Sequence, residues 1–130
     1  MHEHRVHVRY AETDQMGVVH HAAYVPWLEE ARIAAMKDLG CSYRELEQAG
    51  IMMPVVELEL QYRRPLHFDD AVAIRTTVAV LGPSRVAFSS ELVGPDGQLR
   101  ACGRVVVAAC TTAGRPTRIP DGLLDMLGGG

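Results

Sequence analysis

In the segment YAETDQMGVVHHAAYVPWLEEAR, residues 10–32, a carboxylate, a glycine, two histidines and the start of a helix crowd together. The first turn of a helix presents backbone N–H groups without intrahelical partners. Such groups hold a phosphate or stabilise an oxyanion developing on a carbonyl. Asp14 stands in the loop that delivers the chain to this helix start, seven residues before His21. A carboxylate there could act on a carbonyl that the N–H groups polarise, which is acyl-transfer chemistry. The same position suits a helix cap, and spacing alone favours the cap.

Other reactive side chains carry weaker signals. His2, His4 and His7 include an H-x-H pair but read as a solvated strand end. Adjacent His20 and His21 diverge on any regular element, so they are not expected to share a metal, and no metal site is assigned. Glu29 and Arg32 lie three apart on the helix and suit an ion pair. Arg63, Arg64, Arg85, Arg100 and Arg104 are candidates for a phosphorylated ligand, or simply solvated strand arginines. Cys41, Cys102 and Cys110 lack C-x-x-C spacing. Cys102 and Cys110 fall on one expected strand, about 26 Å apart and beyond disulfide reach. All three read as reduced, mostly buried residues of a cytoplasmic protein.

The elements that position these residues follow from periodicity. His4, Val6, Val8 and Tyr10 alternate with polar residues as a first strand, which puts Tyr10 on its inward face. From about Ala22 the apolar spacing turns helical through Tyr24, Trp27, Leu28, Ala31, Ala34 and Ala35. Val25, Ile33 and Met36 add a second apolar side, so the helix is expected to be largely enclosed. Pro26 fits its first turn and Gly40 its end. Ser42-Tyr43-Arg44-Glu45 is a capping-box pattern for a short second helix ending at Gly50. Val56, Leu58, Leu60 and Tyr62 then alternate in a strand that Pro65 ends. Further strands are expected over 72–80, 86–92 and 99–112, with turns at Gly82-Pro83-Ser84 and Gly94-Pro95-Asp96-Gly97. Short turns predict an antiparallel meander of the last four strands. A curved sheet wrapped around the long helix covers both, and Ala101, Gly103, Ala108 and Ala109 allow close approach. Gly128-Gly129-Gly130 is expected to fray.

The 130 residues suit one domain, 1–130. Hydrophobic residues at 48% and charged residues at 22% are ordinary for a globular protein. A net charge of −3 argues against general nucleic-acid binding. No apolar run reaches the roughly 20 residues of a membrane span, and MHEHRVHVRY has no apolar stretch of the kind a secretory signal needs.

The pattern Asp14-x-x-Gly17-Val18-Val19-x-His21-x-x-Tyr24, continuing to Glu29-x-Ala31-Arg32, resembles the 4-hydroxybenzoyl-CoA thioesterase-like family, in its YbgC-type acyl-CoA thioesterase branch. Tyr62-x-x-Pro65 and Asp69-Asp70 extend the likeness, which runs to about Thr112. The resemblance implies an α+β hotdog fold, an antiparallel sheet of about five strands wrapped around a long central helix. It implies hydrolysis of an acyl-CoA thioester without cofactor or metal, acyl-CoA ranking ahead of acyl-carrier protein. Asp14 would be nucleophile or general base, and the N–H groups from Gly17 to His21 would stabilise the oxyanion. Each such donor is worth about 3–4 kcal/mol. Tyr10 would support the site, while Gly17, His20 and Tyr24 would contact substrate. Glu12 stands where the family has Asp. His20 stands where the branch commonly has Tyr, which bears on acyl preference. Homodimers or homotetramers with sites at the dimer interface are implied. Alternatives are a non-catalytic acyl-thioester-binding module, a hotdog hydratase or dehydratase, and a structural protein in which Asp14 only caps the helix.

Overall fold

A computed structural model describes residues 1–128. The order is β1 (His2–His7), a 3-10 turn (Tyr10–Glu12), a second 3-10 turn (His21–Ala23) and α1 (Tyr24–Asp38). There follow α2 (Tyr43–Gln48), β2 (Ile51–Met52), β3 (Val55–Tyr62), β4 (Ala71–Val80), β5 (Arg85–Val93), β6 (Leu99–Ala108), β7 (Cys110–Thr111) and α3 (Asp121–Gly128). Five strands form one antiparallel sheet in the order β1-β4-β5-β6-β3, and β2 pairs with β7 in a separate ribbon.

The core is where one face of this sheet meets α1. Register places Ile74, Leu92 and Ala101 in one row across β4, β5 and β6, and Val78, Phe88 and Val105 in another. Trp27, Leu28, Ala31, Ala35 and Met36 are buried on the helix. Burying each large apolar side chain contributes about 1.5–3 kcal/mol. Between these rows the buried hydroxyls of Thr76 and Ser90 satisfy each other at 2.8 Å. Gly103, in the same row, lets the helix approach: a Cβ there would lie 2.7 Å from Leu28 Cδ1. The closeness expected of the small residues on this strand is therefore real at Gly103.

Helix ends follow the sequence signals. Ser42 Oγ accepts the Glu45 N–H at 3.2 Å, and α1 ends before Gly40. Gly128 is the last residue of α3, and the rest of the segment expected to fray, Gly129 and Gly130, lies outside the described residues.

Several expectations are corrected. The first strand ends at His7, its last partner being Ala71, so Tyr10 is not on an inward strand face. His2 and His4 are half-buried rather than solvated, and His2 Nδ1 meets Asp38 Oδ2 at 3.3 Å. α1 is covered on one side only, with Val25 and Ile33 exposed. Arg32 forms no pair with Glu29; it is buried, its guanidinium over the Tyr43 ring at 5.9 Å. The last strand breaks at Ala109, whose N–H turns to Ser84 O at 2.7 Å before the chain pairs with β2. Cys102 and Cys110 thus occupy different strands, and all three cysteines are free. Only β4, β5 and β6 make a meander, because β3 pairs with β6 at the far edge.

That last point places the site. Residues 63–70 must carry the chain from the β3 edge to β4, passing the segment before α1. Val19 N–H donates to Leu66 O at 2.8 Å, and Val18 forms a bridge with His67. Val8 N–H donates to Asp70 O at 3.0 Å, and Asp69, with φ of 66°, turns the chain into β4.

Candidate active site

The Asp14 loop is a tight turn between two short extended stretches, joined by the Thr13–Val19 bridge. Asp14 N–H donates to Val18 O at 2.8 Å and Gly17 N–H returns to Asp14 O at 3.0 Å. Gly17 closes the turn with φ of 79°, a conformation that costs glycine little. The Asp14 carboxylate is held by its own turn: Oδ1 accepts from Met16 N–H at 2.8 Å and Val18 N–H at 3.4 Å. Among the described residues Oδ2 has no hydrogen-bond partner. Asp14 is therefore not the cap of α1. The residue before that helix is Ala23, which makes no side-chain cap bond. The preceding 3-10 turn is capped by His20, whose Nδ1 accepts from Ala22 N–H at 3.1 Å.

The donors at this helix start divide. His20 N–H goes to Glu12 O at 2.7 Å, Ala22 N–H to the His20 ring and Ala23 N–H to His20 O at 2.9 Å. The His21 N–H has no partner among the described residues. It is the one backbone donor of residues 20–23 left open to a ligand.

Asp14 and His21 line one open cleft of about 370 Å³ with Val19, Tyr24, Tyr62, Arg63, Arg64 and Pro65. Tyr62 O–H donates to His21 O at 2.9 Å, tying the end of β3 to the helix start. The Tyr24 ring meets Tyr62 edge-on at 5.0 Å and Trp27 at 5.2 Å. Burial, and then the neighbouring Tyr62, push the Tyr24 phenol above its ordinary value, so it forms a neutral wall.

Behind the loop, the Glu12 carboxylate accepts from Trp27 Nε1 at 2.9 Å and from Arg9 N–H at 2.7 Å. Glu12 is thus the tie between the Asp14 turn and the buried face of α1.

Of the residues singled out in the sequence, Asp14, His21 and Tyr24 come together. Tyr10 does not: it is 78% exposed and packs edge-on against Phe68 at 5.8 Å. Gly17 shapes the turn without lining the cleft. His20 also lies off the lining, with its ring stacked on His21 at 4.3 Å. The two histidines therefore do not diverge, because the chain there is an extended residue entering a 3-10 turn rather than a regular element. Tyr62 was legible only as part of a motif; its alternation with Leu58 and Leu60 put it on the helix-facing side. Glu12 gave no sign of reaching Trp27, fifteen residues away.

Comparison with known proteins adds four relations. The Thioesterase-like superfamily matches residues 8–127, and so takes in α3 beyond Thr112. YneP of Bacillus subtilis, provisionally named an acyl-CoA thioesterase, is 38% identical over 94 residues, 72% of this chain and 68% of YneP. The acyl-CoA thioester hydrolase YbgC of Escherichia coli is 28% identical over 102 residues, 78% of this chain and 76% of YbgC. The solved structure of DHNA-CoA thioesterase from Staphylococcus aureus superposes with a TM-score of 0.85 at 31% identity. It covers 89% of this chain and 78% of that one. The five-stranded antiparallel sheet and long helix are the α+β hotdog arrangement.

Proposed function

The chain belongs to the thioesterase-like superfamily, and from that premise we propose that it hydrolyses the thioester bond of an acyl-CoA. Water and R–CO–S–CoA give the free acid and the CoA thiol. One observation carries the reading: Asp14 has an oriented carboxylate with an open oxygen, in the same cleft as the unpaired N–H of His21. The carbonyl oxygen would accept that N–H as negative charge develops on it. Asp14 Oδ2 would either take a proton from the attacking water or attack the carbonyl itself. In the second route a mixed anhydride forms, thiolate leaves and takes up a proton, and water opens the anhydride. Val19, Tyr24 and Tyr62 would wall the acyl group.

The acting unit is proposed to be a homodimer joined at β3. This edge strand has no neighbour on its outer side, yet Val55, Val56, Leu58 and Tyr62 are each 47–49% exposed. Natural sheets rarely leave an apolar edge bare. No helix among the described residues is long and apolar enough to cross a membrane. Free cysteines suit a reducing cytoplasm, where the protein is proposed to act.

Purified protein would be given short-chain, long-chain and aromatic acyl-CoAs while free thiol is followed, beside Asp14→Asn. Thiol release by the wild type and its loss in the variant is the expected outcome. Release from no substrate overturns the thioesterase reading, and unchanged release in the variant removes Asp14 from it. In a single turnover in ¹⁸O-water the one water oxygen enters either Asp14 or the product acid, and label in Asp14 marks the nucleophile.

A further inference from the structure

The arginines of this chain divide by what their side chains meet. Arg5 and Arg75 hold Glu3, Arg9 holds Glu12, Arg85 and Arg104 hold Glu57, and Arg100 holds Asp96. Arg32, Arg44, Arg115 and Arg118 meet no carboxylate among the described residues and lie off the Asp14 cleft, whereas Arg63 and Arg64 line it. Arg63 Nη2 donates to Gln61 Oε1 at 2.7 Å, and Arg64 Nη1 donates to Gln98 Oε1. Neither meets a carboxylate among the described residues. An amide oxygen orients a guanidinium but leaves its positive charge uncompensated. Both arginines line the cleft that holds Asp14, which Arg85 and Arg104 do not.

Their backbone is fixed as well. The N–H groups of Arg63 and Arg64 both donate to Arg100 O, at 2.8 and 3.0 Å. Arg100 in turn donates to Pro65 O at 3.0 Å and pairs with Asp96 at 2.8 Å, so that it is a structural pin rather than a free cation. The Arg64 head reaches the turn between β5 and β6, whose carboxylate, Asp96, is already neutralised by Arg100. The Arg64 head is thereby held at that turn and the Arg63 head at Gln61 on β3.

We infer that Arg63 and Arg64 form the receptor for the phosphorylated adenosine end of the CoA moiety, while the thioester end lies at Asp14. The inference rests on the thioesterase reading. Guanidiniums suit phosphates because they donate paired N–H groups to them, each as a charge-assisted bond. Gln61 and Gln98 would release the guanidiniums to the phosphates at little cost, since a neutral acceptor is exchanged for an anionic one.

The test compares two thioesters of one acyl group, acyl-CoA and acyl-pantetheine, which lacks every phosphate. The double variant Arg63→Gln/Arg64→Gln should raise KM for acyl-CoA about tenfold or more over its effect on acyl-pantetheine, as loss of charge-assisted bonds implies. The wild-type KM for acyl-CoA should rise with salt, and the variant's should rise less. Arg85→Gln, paired with Glu57 outside the cleft, serves as control and should show no such difference between the substrates. An equal change on both thioesters, or no change, overturns the assignment while leaving the thioesterase reading standing. If the wild type hydrolyses neither, that reading fails instead. Calorimetry with adenosine 3′,5′-bisphosphate then decides the arginines alone: binding lost in the double variant supports them, and equal binding in both proteins rules them out.

Discussion

The two edges of the sheet are built from different sequence and end differently: β1 carries one apolar residue in six, Val6, and β3 carries five in eight. At the β1 edge the helix-facing side chains lie under α1: Val6 packs on the core, and His2 meets Asp38 near the helix end. On its outward side Glu3 pairs with both Arg5 and Arg75. At the β3 edge Leu60 packs on the core but Val55, Val56, Leu58 and Tyr62 stay half-exposed, and α1 shows Val25 and Ile33 to solvent. Tyr62 ends this strand and Arg63 and Arg64 follow it, and all three line the Asp14 cleft. One edge is finished within the chain and is structural. The other is unfinished, and the candidate chemistry sits at its end.

If that contrast is right, damage at the β3 side should be functional and damage at the β1 side nearly silent. The largest effect belongs to Asp14→Asn. It should lower kcat about 100- to 10,000-fold, the usual worth of a positioned acid or base, with an unchanged melting temperature. Next comes Leu58→Asp among the half-exposed residues of β3. A charge placed where a partner would bury it should raise the dimer dissociation constant about a hundredfold or more. Light scattering should show monomers, circular dichroism a folded chain, and the thiol assay little activity. An active monomeric wild type would break the comparison, because β3 would then be an ordinary exposed edge.

A smaller effect is expected behind the loop. Glu12→Gln keeps one acceptor but turns an NH₂ towards either Trp27 Nε1 or Arg9 N–H, leaving a donor unmet at a cost of about 1–3 kcal/mol. Thermal melting should register that loss. If the tie positions Asp14, kcat should fall while KM holds, and Glu12→Asp should recover part of it. A stability loss with kinetics untouched would make Glu12 structural only.

Sequence reasoning reached the fold and the Asp14 segment because both rest on local signals: period two, period 3.6, turn residues, and unlike residues at fixed spacing. It failed where a partner far along the chain decides. Spacing does not say whether an aspartate turns forward to a helix or back onto its own turn; here the N–H groups of Met16 and Val18 took Oδ1. The alternation through Tyr10 outran the strand, whose length is set by where β4 begins. The alternation of β3 told which residues share a face, not that much of the strand stays half-exposed. Nothing local marks the break at Ala109, which tertiary pairing imposes. The missed helix α3 did carry a signal. Leu123, Leu124 and Leu127 have helical spacing after Asp121, and Leu127 is fully buried.

The two weakest perturbations separate geometry from function. Gly103→Ala adds a methyl 2.7 Å from Leu28 Cδ1 and 3.3 Å from Leu60 Cδ2, at the seam between α1 and β3. Overpacking there should cost about 1–3 kcal/mol, and relief by movement of Leu60 would shift β3, so both melting temperature and dimer affinity should fall. His2→Ala removes the contact to Asp38, made by side chains 22% and 68% exposed. Such a pair is worth about 0.5 kcal/mol or less. Melting should move by a degree or two, with oligomeric state, KM and kcat unchanged. A loss of activity in His2→Ala without loss of stability would mean that the β1 edge also serves the site, and the division between a finished and an unfinished edge would have to be abandoned.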